Sequence, residues 1–406
     1  MRILLIGDYS NVHATLLKGL RELGHDVVLA SDGDGWKNYP RDVDLKRPSL
    51  GKFSSLLYYG KLWRTFRKFR NYDVVQIINP VFLPLKAERI YPFYRYLRRH
   101  NKKVFMGAFG MDHYYVKTGL DGHTFRYSDF NFGPQLRQNP DNTAWVRDWL
   151  VGEKGRLNQY VAADCDGIIA GLYEYYVSYV ATYADKLKFI PFPIQLSEKK
   201  VIEVRDKVRF FIGIQKERSA YKGTDVMLKA LLRLANDYPE LVEVVKVESV
   251  PFKQYVKLLS GSDVLLDQLY SYTPAMNALA AMAQGIAIVG GGEPENYEIL
   301  GDKDLFPIVN VLPNEADVYE LLKALIQDKS ALIQRRKDSY TYIERYHDYR
   351  KVAAAYVDFW ARWRLAIASC RCGRVVLQRL TRCLFFGKHR RVVVYTWCIS
   401  QKLFGK

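Results

Sequence analysis

Lys188–Ile194 reads KFIPFPI, and its two prolines interrupt an alternation of short apolar runs and helical patterns that fills the chain on either side. Proline offers a sheet no N–H and breaks a helix interior, so the segment marks a hinge between two folding units. Before it, Arg2–Ile6, Asp26–Ala30, Val74–Ile78, Lys103–Met106 and Gly167–Ala170 read as strands, with a helix over His13–Leu23 closed by Gly24. After it, strands are expected at Val208–Ile214, Val244–Val247, Val264–Leu266, Ala287–Val289 and Ile308–Val311. Helical patterns separate them at Thr224–Asn236, Phe252–Ser260, Met276–Gln284 and Glu315–Ile326, and 330–360 reads as helical throughout. Strands that are apolar along their whole length have no wet face, which requires a parallel sheet covered by helices on both sides. The expected fold is α/β: two doubly wound, Rossmann-like domains, residues 1–192 and 193–345, facing a cleft. A closing helix at 346–360 and a basic tail at 361–406 complete the chain. Open sheets of this kind place ligands outside the carboxyl ends of their strands.

At 406 residues the chain can build two cores without disulfide staples. Its five cysteines are an odd number, four of them after residue 369, which fits a reducing cytoplasm better than a disulfide framework. Cys370, Cys372, Cys383 and Cys398 also lack the paired spacing of common zinc ribbons, so no metal site is expected. The opening MRILLIGDYS is too short in apolar residues for a secretory signal, and no run approaches the ~20 residues of a spanning helix. The formal charge is +18, but residues 361–406 hold eleven cations and no acid, leaving a mildly basic body. No nucleic-acid-binding motif accompanies that charge, so nucleic acid is not an expected partner.

Three stretches carry a resemblance. FFIGIQKERSAYKGTDVMLKAL and AMNALAAMAQGIAIVGGGEPENYEIL resemble the donor-binding domain of glycosyltransferase family 4 enzymes of the GT-B fold, and MRILLIGDYSNVHATLLKGLRELGHDVVLAS resembles their N-terminal strand–loop–helix–strand. The resemblance spans roughly residues 1–360. It implies a nucleotide-sugar as substrate, no other cofactor, and Arg218 and Lys222 gripping the diphosphate leaving group. Fixed cations and helix N-termini suit that task in a dry cleft; a solvated basic loop is the alternative. Gly290, Gly291 and Gly292 follow a strand and would let backbone amides approach a phosphate or sugar, unless they form only a tight turn. Glu295 matches the family's Pro-Glu glutamate beside the donor. The family's Glu-x7-Glu falls on Tyr272 and Ala280, so both glutamates are missing; Asn277, one helical turn earlier, and Tyr272 are the available donor-side substitutes.

On the acceptor side, Asp112 and His113 follow the strand in KKVFMGAFGMDHYY and are candidates to orient or deprotonate an acceptor hydroxyl. The loop Gly7, Asp8, Ser10, Asn11 is a further candidate. Two segments suggest a lipid surface. SLLYYGKLWRTFRKFR sets Tyr59, Leu62, Trp63, Phe66 and Phe69 against Lys61, Arg64, Arg67 and Lys68, although an ordinary helix packed on the sheet explains it as well. In RVVLQRLTRCLFF, Val376, Leu380, Cys383 and Leu384 share an arc opposite Arg374 and Arg382, a pattern suited to an anionic membrane. The expected function is transfer of a sugar, with retention, from a nucleotide donor to a polysaccharide or lipid-linked acceptor, peripherally on the cytoplasmic membrane face. A catalytically silent GT-B-like binding protein and a sugar-nucleotide epimerase are the alternatives.

Overall fold

In the computed structural model, the described residues are 1–48, 51–199, 201–202, 205–215 and 219–362. The expectations for Arg218 and for the tail from residue 363 onward therefore lie outside them.

The first sheet takes its strands from β1 (Arg2–Ile6), β2 (Asp26–Ser31), β3 (Val43–Asp44), β4 (Val74–Ile77), β5 (Val104–Ala108), β8 (Gly167–Ala170) and β9 (Leu187–Phe189). A small hairpin, β6 (Asn131–Phe132) and β7 (Gln135–Leu136), sits in the long excursion between β5 and β8. The order β3-β2-β1-β4-β5-β8-β9 is parallel throughout. Ile3, Leu4, Leu5 and Ile6 are fully buried, as a sheet covered on both faces demands. The second sheet, β10 (Val208–Ile214), β11 (Val242–Glu248), β12 (Val264–Leu266), β13 (Ala287–Gly290) and β14 (Val309–Asn310), is also parallel, in the order β11-β10-β12-β13-β14. Two doubly wound sheets result, each reversing its strand order next to the strand that begins it. Met1–Trp360 form one compact unit.

Two differences from the sequence reading have physical reasons. Leu187–Phe189 is the edge strand β9 and not part of the hinge, because its N–H groups come before both prolines. The run 330–360 is broken: a helix Lys329–Tyr342 passes through a π-helical turn, Ile343–His347, before a second helix covers 349–362. At that break the chain crosses beside the proline segment. Ile194 N donates to His347 O (2.7 Å), Tyr349 N donates to Ile194 O (3.2 Å), and the His347 Nδ1–H donates to Phe192 O (2.8 Å). The last helix lies against the first sheet, with Phe359 and Trp360 beside Phe105 and Lys103 Nζ donating to Trp360 O (2.6 Å). The helix Lys52–Phe66 packs its aromatic side inward, as the reading of an ordinary helix on the sheet expects. Leu62, Phe66 and Phe69 are buried, and Trp63 stacks on Phe93 at 4.5 Å. Among the described residues no helix is long and apolar enough to cross a membrane.

Candidate functional site

A cleft of about 1430 Å³ opens between the carboxyl ends of the two sheets. Its first-domain wall is built by the turn after β1 and the loop after β2. Ser10 and Asn11 take left-handed backbone angles (φ 50° and 68°), which turn the chain from β1 into the helix Val12–Glu22. Asp34 accepts from Ser10 N (2.8 Å) and from Lys37 Nζ (2.6 Å), and Lys37 also donates to the Ser10 hydroxyl (3.2 Å). The second-domain wall carries Lys222, Asp267, Asn277 and Ala280. Asp267 directly follows β12. It accepts from Asn277 Nδ2 (2.7 Å), while Asn277 Oδ1 accepts from Tyr255 (3.0 Å). Burial pushes the Asp267 carboxyl above its ordinary range, with the charge of Lys222 pulling the other way. Among the described residues Lys222 has no carboxylate within 4 Å, so the cleft has a cation available for an anionic ligand. Among them, too, no three His, Cys, Asp or Glu side chains come together as metal ligands.

Ser10, Asn11, Lys222 and Asn277 thus meet in the cleft, as does Ala280, exposed at the place where the resemblance puts a glutamate. The other candidates do not line it. Asp8 is buried and accepts from His13 N (2.9 Å) and Ala14 N (3.3 Å), capping a helix; desolvation lifts its pKa to about 7. Gly7 is there for the turn, with φ +77° and room for no Cβ against Ile78. Asp112 is fully buried at the start of the helix His113–Gly119. It accepts from Tyr115 N (2.9 Å) and the Tyr179 hydroxyl (2.8 Å), and burial lifts its pKa to about 6. The Nδ1–H of His113 donates to Trp149 O (2.8 Å), and burial lowers its pKa. Both groups are committed to structure: they stand at the carboxyl edge of the sheet, but Tyr179 takes the Asp112 carboxylate and Trp149 O the His113 ring.

Gly290, Gly291 and Gly292 make room for protein, not ligand. A Cβ on Gly290 would meet Gln268 O at 2.8 Å, one on Gly291 would meet Ser271 O at 2.4 Å, and one on Gly292 would meet Ile308 at 2.8 Å. Tyr272 and Glu295 belong to a seam between the domains. Tyr272 is buried, stacks on Tyr173 (5.7 Å, 18°) and accepts from Arg126 N (2.6 Å). The Arg126 guanidinium pairs with Glu295 and Glu293, and the Tyr127 hydroxyl also donates to Glu293. Glu174, in the helix Tyr173–Tyr183, accepts from Tyr272 N (2.7 Å), Thr273 N (3.1 Å) and the Thr273 hydroxyl. The seam also reaches Lys222. Tyr221 donates to Asp129 (2.7 Å), Arg137 donates to Ala220 O (2.7 Å), and Arg137 lies 3.5 Å over the Tyr270 ring. First-domain side chains therefore hold the short helix Ser219–Lys222 that presents the cleft's lysine.

Sequence reasoning missed Asp34, Lys37 and Asp267, although each follows a strand by one to six residues and could have been found by that rule. It missed Arg126, Asp129 and Glu174 because nothing local marks a side chain that bonds across more than ninety residues.

No protein-family model matches the chain, and no curated protein matches it by sequence. Solved structures do match its fold. Sucrose-phosphate synthase from Thermosynechococcus elongatus aligns over 90% of this chain and 100% of its own, with a TM-score of 0.59 at 11% identity. Anabaena HepE in complex with UDP and glucose aligns over 89% and 100%, with a TM-score of 0.56 at 11% identity. UDP-GlcNAc 2-epimerase from Neisseria meningitidis, bound to UDP-GlcNAc, aligns over 89% and 100%, with a TM-score of 0.52 at 12% identity. The chain has the GT-B architecture: two Rossmann-like domains with a cleft between the carboxyl ends of their sheets.

Proposed function

We propose that this chain is a glycosyltransferase of the family 4 type, moving a sugar with retention from a nucleotide donor to a glycan or lipid-linked acceptor. The observation that carries the reading is the 1430 Å³ cleft with Lys222 on its second-domain wall. In such a transfer the bond from the anomeric carbon to the diphosphate oxygen breaks, and the diphosphate takes the electron pair. The acceptor oxygen bonds to the anomeric carbon and its proton passes to the departing phosphate. Charge grows on the diphosphate as that bond breaks, so a fixed ammonium beside it favours the transition state over the bound substrate. Arg218 would share this role. Asn277 and Asp267 would bind donor hydroxyls, and Ser10, Asp34 and Lys37 would face the acceptor. We place the donor domain at 193–345, the acceptor domain at 1–192, the closing helix at 346–360, and a membrane-contacting tail at 361–406, on the cytoplasmic side. HepE in complex with UDP and glucose has the same fold, which supports a uridine nucleotide as the first donor to try.

Ala280 favours a second reading, a silent binding protein, because no carboxylate stands there to hold a ribose. One experiment separates the readings. The full chain is heated with millimolar UDP, GDP, ADP and their sugars, and the supernatant is assayed for free nucleotide and altered sugar nucleotide. A ligand at about 100 times its Kd stabilises the fold by ~2.7 kcal/mol. A shift with one nucleotide, with acceptor-dependent release of that nucleotide, is the expected result. Release without acceptor, or interconversion of the sugar, points to an epimerase. No shift with any nucleotide overturns the proposal.

A further inference from the structure

The basic excess of the body is confined to one stretch. Residues 52–103 hold thirteen lysines and arginines against two acids, Asp73 and Glu88, whereas the rest of residues 1–360 carries more acids than cations. Two helices in that stretch, Lys52–Phe66 and Tyr91–His100, pack side by side on one face of the first sheet through Trp63, Phe93 and Tyr96. Their aromatic rings point inward: Tyr58, Phe66, Phe69 and Phe93 are buried. What they leave outside is Arg64, Arg67, Lys68, Arg70, Arg95 and Arg99, all exposed. Among the described residues none of these six has a carboxylate within 4 Å. At 100° per residue, Leu57, Lys61 and Arg64 recur at i, i+4 and i+7 along one stripe of the helix, with Leu56 on its flank and Arg67 and Lys68 in the turn that ends it. Leu56 and Leu57 are 69% and 59% exposed. A helix joining parallel strands runs antiparallel to them, so these two leucines, in its second turn, lie at the carboxyl end of the sheet, the end that holds the cleft.

We infer that this face docks the protein on an anionic lipid bilayer, with Leu56 and Leu57 entering the headgroup boundary and the arginines and lysines meeting the lipid phosphates. The chemistry excludes the competing occupants. A second copy docked symmetrically would present the same positive face, and the protein's own tail is positive as well. Single-stranded nucleic acid is held by exposed rings as well as by cations, and here the rings are packed away. Adjacent leucines among cations, on the outside of a helix that is buried on its other side, match an interfacial surface. The inference stands apart from the reaction, since it needs neither donor nor transfer.

The test is co-sedimentation of the full chain with phosphatidylcholine vesicles and with vesicles containing phosphatidylglycerol, at low and at high salt. Three proteins are compared: wild type, Arg64→Gln/Arg67→Gln/Lys68→Gln, and Leu56→Ser/Leu57→Ser. All substitutions are at exposed positions, and an unchanged unfolding midpoint confirms the fold. Wild type should bind only the anionic vesicles. Each surface cation contributes roughly a fivefold gain in partitioning before screening, so the triple variant should lose on the order of 10²-fold at low salt. The leucine variant should lose at least about tenfold of the binding that survives high salt. If both variants partition like wild type, the tail alone anchors the chain and this face does not. Equal binding of wild type to neutral and anionic vesicles also overturns the inference. So does tight binding of single-stranded RNA that the triple variant loses while vesicle binding is unchanged.

Discussion

The seam between the domains rests on a buried carboxylate, and removing it should cost more than any exposed ion pair there. Glu174 is 5% exposed and serves three donors of the opposite domain: Tyr272 N, Thr273 N and the Thr273 hydroxyl. Glu174→Ala leaves all three without an acceptor, and a buried donor without a partner costs about 1–3 kcal/mol. Some relaxation and water entry offset this, so the expected loss is about 3–5 kcal/mol in total. Glu174→Gln behaves differently. One amide oxygen can still serve both backbone N–H groups, and the threonine hydroxyl can rotate to accept from the new NH₂, so the cost should stay under about 1 kcal/mol. pH gives a further check. Burial raises the Glu174 pKa above the ordinary 4.5, so the folded state holds this proton more tightly than the unfolded chain. The stability that protonation adds is complete below pH 4.5 and is lost as pH rises through the folded value. Wild type should therefore lose ground to the glutamine variant as pH rises. Urea unfolding followed by tryptophan fluorescence measures all of this, and the alanine variant should also unfold in two separated steps as the sheets uncouple. An alanine variant within about 0.5 kcal/mol of wild type would refute the latch. A glutamine variant as unstable as alanine would show that charge, not acceptor geometry, holds it.

Two other outcomes follow from the same geometry. If the proposed transfer holds, Lys222→Ala should lower turnover by ~10²–10³ with the fold intact and the donor KM little changed, measured by steady-state kinetics with the sugar nucleotide that the thermal-shift screen selects; wild-type turnover would remove Lys222 from the leaving-group role. Acid should destabilise the chain through its buried histidines. Burial lowers the pKa of both His13 and His347 to about 4, from 6.5, so the stability their neutral rings provide is complete above pH 6.5 and is lost as pH falls toward 4. Asp8, raised by burial to about 7, opposes one of the two. His347→Gln keeps a donor for Phe192 O and should flatten the loss between pH 6.5 and 4.5 by about 2–3 kcal/mol; unfolding curves parallel to wild type would contradict the assignment.

The fold was largely legible in the sequence because its signals are local. Val208–Ile214, Val264–Leu266 and Gly167–Ala170 are strands at the residues their apolar runs predict, and Gly24 ends the first helix turn where a left-handed residue must stand (φ +79°). Parallel order followed from the absence of a wet face on those strands. The site was legible only in part. Ser10 and Asn11 reach the cleft through their strand-end position, while Lys222 and Asn277 reach it on the helices that follow β10 and β12. Asp112 and Tyr272 also follow strands and miss it, because the first is buried between Tyr115 N and the Tyr179 hydroxyl and an aromatic cluster takes the second. No pattern along the chain tells a strand-end residue that faces ligand from one that faces another part of the protein.

The two positions where the family resemblance loses its glutamates have different structural fates, and the difference bears on whether the cleft can work. Ala280 faces the cleft, and its methyl group leaves Asn277, Asp267 and Tyr255 as a linked polar set one turn away on the same wall. Tyr272 leaves the cleft altogether, but the backbone around it is not without an acid: Glu174 brings a carboxylate from the opposite domain to the N–H groups of Tyr272 and Thr273. This carboxylate ties the second domain to the first. The loop Gln268–Thr273 is held from both domains, with Gly290 and Gly291 of its own domain packed under it and Glu174 of the first domain bonding its N–H groups. Asp129 and Arg137 do the same for the helix that carries Lys222. In this chain the second-domain wall of the cleft is braced by domain contact, so loosening the seam should disorganise the cleft before it unfolds either sheet.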